Sequence, residues 1–257
     1  MFGKFRAPHK DTGVILKEAA RRLDVPTRRV FLRNAIGLGS LTLLSGCDVV
    51  DGFSAERMLQ SMSDFNDHVQ ALLFDPNKLA PEYPESAITR PFPFNAFYSQ
   101  DKAPMIDAAE FRLDIIGLAE KQKPWTLEEL YALPRFTQIT RHICIEGWSA
   151  IGKWTGVRFS DFLARIGADT SAKYVTFRCD DNYITSIDMP TALHPRTQLT
   201  FWFDGGVLPR KYGFPMKLRI PTKLGFKNPK HIGEIEIGND FNGGYWETYG
   251  YNWFSGL

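Results

Sequence analysis

Residues 141–163 read RHICIEGWSAIGKWTGVRFSDFL. The run sets Cys144 among apolar and aromatic residues, with Arg141, His142, Glu146 and Lys153 close by, and the whole chain holds only three cysteines. A buried cysteine is commonly a small hydrophobe with no chemistry of its own. The pattern around it therefore has to decide what Cys144 is for. Residues 157–166, VRFSDFLARI, predict a short helix capped at Ser160.

Outward from this run the pattern is mostly strand. FRLDIIGL at 111–118 alternates and ends near a glycine, and KYVTFRC, LTFWF, PMKLRIP and HIGEIEIG follow further along the chain. Asp204-Gly205-Gly206 is a hairpin turn signal. Thr126 and Glu129 form a capping box opening TLEELYAL. Strands dominate, helices are short and no regular βαβ alternation appears, so the fold class is α+β. Residues 54–73 predict one longer helix with Ser54 as its cap. There Met58, Met62, Phe65, Val69 and Leu72 recur at helical spacing, and that face is expected to dock on the body. The proline-rich stretch 75–94 should run extended over the surface.

The N-terminus reads as a leader. Arg28 and Arg29 precede Phe31 and Leu32, then 35–46 are small and apolar, about half the ~20 residues needed to span a bilayer. A basic pair before a short apolar run is the layout of a twin-arginine export signal. Leu44-Ser45-Gly46-Cys47 resembles a lipobox, so Cys47 is expected to carry a lipid anchor. The expected organisation is a leader at 1–46, a helix and proline-rich lead-in at 47–94, and the functional domain at 95–257. Residues 1–46 carry nine Lys/Arg and three Asp/Glu within a chain of net charge +2, which leaves −4 for residues 47–257. That excludes an electrostatic case for nucleic-acid binding. With 44% hydrophobic and 23% charged residues, the composition is that of an ordinary globular protein.

Several chemistries fail for want of their motif: CxxCH, CxxC, GxSxG, the P-loop and GxGxxG are all absent. No two of the five histidines stand at the i, i+4 spacing of a helical metal pair. What remains is Cys144 and a basic stretch at 211–233, KYGFPMKLRIPTKLGFKNPKHIG. Thiolate is a soft ligand for transition metals. Neighbouring cations would lower its pKa, and the later basic residues could neutralise a phosphate-bearing cofactor. Residue chemistry alone reaches a thiolate metal site with an anion pocket.

The run at 141–163 resembles the cysteine segment of the sulfite-oxidase-type molybdopterin enzymes, and is closer to their bacterial, twin-arginine-exported branch, which includes methionine-sulfoxide reductase catalytic subunits. The resemblance extends through FRLDIIGLAEKQKPWTLEELYALPR, AKYVTFRC, TALHP, YGFPMKLRIPTKLGFKNPKHI and GYWETYGY. It implies a domain of mixed β-sheet with short helices, holding one molybdenum–molybdopterin per chain with Cys144 as the protein ligand to the metal. By the same resemblance Asn95, Tyr98, Ser99, Cys179, Tyr212, Lys217, Asn228, Pro229 and Lys230 fall at cofactor positions. Cys179 stands where the branch has threonine, Lys217 where it usually has arginine, and Tyr212 where it has asparagine or histidine. Glu146 is the expected proton donor or pocket residue, and Arg141 an expected aid to thiolate or anionic substrate. Trp148 and Trp154 are expected in the core.

The implied activity is oxygen-atom transfer, reducing a sulfoxide or N-oxide with electrons from a membrane haem or quinol partner, in the periplasm. Sulfite oxidases of this family generally carry an immunoglobulin-like domain after the molybdenum domain. On the expectation that none follows Leu257, a reductase is favoured over a sulfite oxidase. The reading from another class is a non-catalytic periplasmic binding module with a Cys144–Cys179 disulfide.

Overall fold

A computed structural model describes residues 55–257, and side chains from residue 60. The readings placed on the leader, on Cys47 and on the Ser54 cap lie outside the described residues.

Helix α1 (Ala55–Leu73) leads into the proline-rich stretch. That stretch is less superficial than its composition predicts: Ile88 and Phe92 are buried. Proline fixes the backbone but leaves intervening apolar side chains free to enter the body. Strand β1 (Arg112–Gly117) buries Leu113 and Ile115 on one face, as its alternation predicts. β2 (Trp125–Thr126) and α2 (Leu127–Tyr131) follow, and Thr126 and Glu129 form both bonds of the capping box.

A long hairpin comes next, β3 (Phe136–Ile143) and β4 (Ser149–Arg158), paired in register from Phe136↔Gly156 to Ile143↔Ser149. Helix α3 (Phe159–Ile166) buries Phe159, Phe162, Leu163 and Ile166. Gly167 ends it at φ +65°, a left-handed cap that glycine adopts without strain. Its N-cap is Arg158, with no side-chain bond, so Ser160 lies inside the first turn instead of opening it.

The remaining elements are β5 (Tyr174–Cys179), β6 (Ile184–Asp188), α4 (Met189–Leu193), β7 (Gln198–Phe203), β8 (Gly206–Val207), β9 (Lys217–Arg219) and β10 (Ile232–Gly238). They form two sheets. One has the order β2-β1-β10-β5-β6, with β1 and β10 parallel and its other pairs antiparallel; the other runs β3-β4-β7-β8, with β9 also on β7. The fold is α+β with mixed sheet. Asp204 and Gly205 turn β7 into β8 at φ +50° and +86°, a two-residue loop matched to strand twist.

The main core joins the inner faces of both sheets to α3. A smaller cluster of Phe92, Ala150, Trp154, Leu208 and Tyr212 packs on the β3–β4 hairpin. That cluster braces the segment carrying Cys144.

Helix α1 docks with the face opposite to the expected one. Asp67 accepts from the Trp253 and Phe254 amides at 2.8 Å each, Gln70 accepts from the Gly256 amide at 2.9 Å, and Asn252 donates to Ser63 at 3.1 Å. Met62, Phe65, Val69 and Leu72 stay exposed. The C-terminal segment offers backbone N–H groups that need acceptors, and polar side chains supply them where apolar ones cannot.

Candidate active site

Cys144 opens the turn between β3 and β4. Its amide donates to the Trp148 carbonyl at 2.9 Å, and the Gly147 amide returns to the Cys144 carbonyl at 3.2 Å. Gly147 sits at φ +90°, so the tight turn depends on glycine's access to that region. The turn holds Cys144 and Glu146 on the wall of a cleft of about 720 Å³, part of it open to solvent.

Four chain segments meet there. Asn95, Phe97 and Tyr98 come from just after the proline-rich stretch, Asp181 and Tyr183 from the β5–β6 turn, Gly225, Phe226, Asn228, Pro229 and Lys230 from the loop after β9, and Trp246 and Tyr251 from the C-terminal segment. Of the residues expected from sequence, Cys144, Glu146, Asn95, Tyr98, Asn228, Pro229 and Lys230 line the cleft together. Lys217, Cys179 and Tyr212 are buried outside that lining. Ser99 is exposed, just before a short 3-10 turn.

Arg141 belongs elsewhere. Side chains alternate along β3, so His142 and Thr140 point inward while Arg141 is exposed, its guanidinium 5.2 Å from the Tyr83 ring. It lines no part of the cleft. Both Cys144 and Cys179 are free thiols, so the disulfide of the binding-module reading is not formed.

Glu146 is tied to its neighbours. One of its oxygens accepts from the Trp148 indole at 2.9 Å and lies 3.6 Å from the Cys144 sulfur. Trp148 is thus engaged with the site rather than being core alone, while Trp154 is fully buried, as expected. Burial pushes the Cys144 thiol up, and the Glu146 charge adds to that. The expected lowering by cations is therefore not what the protein alone provides; a bound metal deprotonates a thiol directly.

Lys230 on the cleft wall and Lys217 and Arg219 behind it are buried cations, and of the three Lys230 alone feels a nearby carboxylate, Asp181, among the described residues. Lys230 donates to the carbonyls of Asn95 and Lys211. The Lys217 ammonium lies 4.9 Å from the Trp154 ring centroid. Arg219 donates to Asn228 at 3.0 Å and Thr140 at 3.2 Å. No carboxylate pairs with any of the three among the described residues. Burial brings Lys230 down to about 8 and Arg219 to about 9, and it lowers Lys217 strongly, helped by the other two cations. His142 is fully enclosed with neither ring nitrogen bonded, and burial beside Arg219 and Lys217 keeps it neutral.

The set fits the anionic pterin group that the resemblance implies. Unpaired buried cations and an unused imidazole are costly alone, and an anion rich in acceptor oxygens offsets that cost. Sequence reasoning missed His142, Arg219 and Asp181. The inward alternation of Gln138, Thr140 and His142 was the signal for the first. Asp181 accepts from Tyr98 at 2.9 Å, and only the fold brings those two residues together.

Comparison with known proteins gives a consistent picture. The family model for the oxidoreductase molybdopterin binding domain matches residues 100–246. A candidate protein-methionine-sulfoxide reductase subunit of Azospira oryzae, YedZ1, is 59% identical over 240 residues, covering 93% of this chain and 92% of that protein. The protein-methionine-sulfoxide reductase catalytic subunit MsrP of Campylobacter jejuni is 28% identical over 240 residues, 84% of this chain and 76% of its own. Among solved structures, the sulfane dehydrogenase SoxCD from Paracoccus pantotrophus superposes with a TM-score of 0.51 at 23% identity, over 54% of this chain and 40% of that one. That likeness concerns the fold.

Proposed function

The chain belongs to the oxidoreductase molybdopterin-binding domain family, and on that premise we propose that it is the catalytic subunit of an exported sulfoxide reductase acting on methionine sulfoxide. The observation that carries the proposal is the Cys144–Glu146 pair on the cleft wall, in front of buried cations that no carboxylate neutralises. The relatives named as methionine-sulfoxide reductase subunits favour that substrate class over sulfite.

Cys144 would supply the protein thiolate to the metal. Lys230 would hold the anionic end of the pterin, with the buried Lys217 adding positive charge from behind the cleft wall and Asn95, Tyr98 and the backbone of Asn228 and Pro229 along its length. The bound group supplies the two-electron oxygen-transfer chemistry. Glu146 stands beside the sulfur, where its carboxyl group would be placed to hold a proton for the substrate oxygen. Trp148 fixes the direction of that carboxylate. Phe97, Tyr183, Trp246 and Tyr251 wall the cleft with aromatic surface, which receives a methionine-like side chain through sulfur–aromatic contact. Arg141 has no part in this assignment.

The leader at 1–46, the lead-in at 47–94 and the domain at 95–257 make the chain a periplasmic protein sent out by the twin-arginine route, held at the membrane through Cys47. Electrons then come from a membrane haem or quinol partner. Purified, cofactor-loaded protein should reduce methionine sulfoxide in a peptide with a chemical electron donor. Sulfite-dependent cytochrome reduction, without sulfoxide turnover, would reverse the assignment.

A further inference from the structure

Helix α1 wears its apolar side outward. From residue 60 on, it touches the body along Ser63, Asp67 and Gln70, with Phe74 just past its end, each partly buried, while the other side chains described on it are exposed. Asp67 and Gln70 cap three backbone amides of the C-terminal segment, and Phe74 packs edge-on against Phe254 at 5.6 Å. At 100° per residue, Phe65 and Leu72 fall on the far side of the helix from those contacts, with Val69, Met62 and Leu73 running from there down one flank. They are 56%, 67%, 36%, 84% and 76% exposed. A surface helix ordinarily buries such a stripe, so this one is built to be covered by something else.

We propose that the outward stripe of α1 seats on the lipid bilayer, so that the helix lies along the membrane surface with the catalytic body above it. The inference rests on the reading of residues 1–47 as the element that holds the chain to the membrane. The length of the preceding segment is what identifies the occupant. Ala55 follows Cys47 by eight residues, which span at most about 29 Å fully extended. An anchor at residue 47 therefore keeps the start of α1 within that distance of the bilayer. A stripe of Phe, Leu, Met and Val on a helix so held is the surface that enters the interface between headgroups and acyl chains. A second copy of the chain is a weaker fit, because 62, 65, 69 and 72 make only a two-heptad seam, short of the three or four that sustain a coiled coil.

The placement has a consequence for the site. Gln70 of α1 shares a shallow surface pocket with Ile145, Tyr249 and Tyr251. Ile145 and Tyr251 also line the catalytic cleft. A helix laid on the bilayer thus holds the cleft beside the surface from which a membrane donor delivers electrons.

The test is site-specific photocrosslinking of the full chain in exporting cells, with Leu72→benzoylphenylalanine in the stripe and Asp64→benzoylphenylalanine as the control. The expected result is a mass shift of one phospholipid on the Leu72 peptide and none on the Asp64 peptide. A Leu72 adduct to a protein, whether another copy or a different chain, overturns the proposal. Absence of any Leu72 adduct in protein that still sediments with membranes also overturns it, and leaves the anchor reading intact. Protein recovered wholly in the soluble fraction overturns both.

Discussion

The Trp148 indole N–H donates to Glu146 at 2.9 Å, and the same carboxylate oxygen lies 3.6 Å from the Cys144 sulfur. Three residues of one hairpin turn thus fix where a carboxylate sits relative to the proposed metal ligand. Trp148→Phe keeps most of the ring and removes only the donor. Turnover of a sulfoxide substrate should fall about ten- to a hundredfold, the usual cost of losing an orienting partner. Metal content and thermal midpoint should stay near wild type. Steady-state kinetics beside metal analysis checks this, and unchanged turnover would remove Trp148 from the site.

Gly225 and His142 are in tight apposition, because a Cβ on Gly225 would stand 2.6 Å from His142 Nε2. The imidazole is enclosed and cannot swing away. Gly225→Ala should cost about 1–3 kcal/mol from overpacking. A denaturant midpoint measures the loss, and the variant should also retain less cofactor, since Gly225 lines the cleft.

Lys217→Met separates stability from binding. In the cofactor-free chain the change removes a buried, unpaired cation at similar volume, so stability should hold or rise. Cofactor retention should drop, because the anion loses a positive charge. A thermal melt and a molybdenum assay on the same preparation test both halves. Lower stability with full cofactor retention would place Lys217 in the core alone.

Stability of the cofactor-free protein should climb with pH above about 8. Burial lowers Lys230 from 10.5 to about 8, so between those values the unfolded chain holds more protons than the folded one. Stability then rises across that window. Below it both states are charged and the burial penalty is fully present. The whole shift is worth about 3 kcal/mol. Melting temperatures taken across the window should rise more steeply without cofactor than with the anionic group bound, since the anion holds the proton on Lys230 while Lys223, brought by burial to about 7, contributes in both forms. A flat profile in the cofactor-free protein would contradict the unpaired-cation account.

Much of this architecture is readable from local chemistry. The alternation of Leu113 and Ile115, the Thr126–Glu129 box and the Asp204-Gly205 turn each name their own structure, because the partners are adjacent in sequence. The parallel pairing of β1 with β10 is not readable in that way, as the two strands are more than a hundred residues apart. Cys144, Glu146 and Lys230, whose segments carry family motifs, come together on one cleft. Arg141 was misplaced for want of one parity: once β3 is a strand with His142 inward, its neighbour must face out. The direction of α1 was misjudged for a related reason. An apolar stripe shows which face wants cover, but the amides of residues 253, 254 and 256 decided which face met the body.

The most direct test of the central claim is X-ray absorption at the molybdenum edge on natively exported protein, wild type beside Cys144→Ala, with the metal quantified in both. The account predicts one molybdenum per chain in the wild type and one fewer sulfur neighbour in the variant. Protein without molybdenum from a host able to make the cofactor, or the same sulfur count in both proteins, would contradict it.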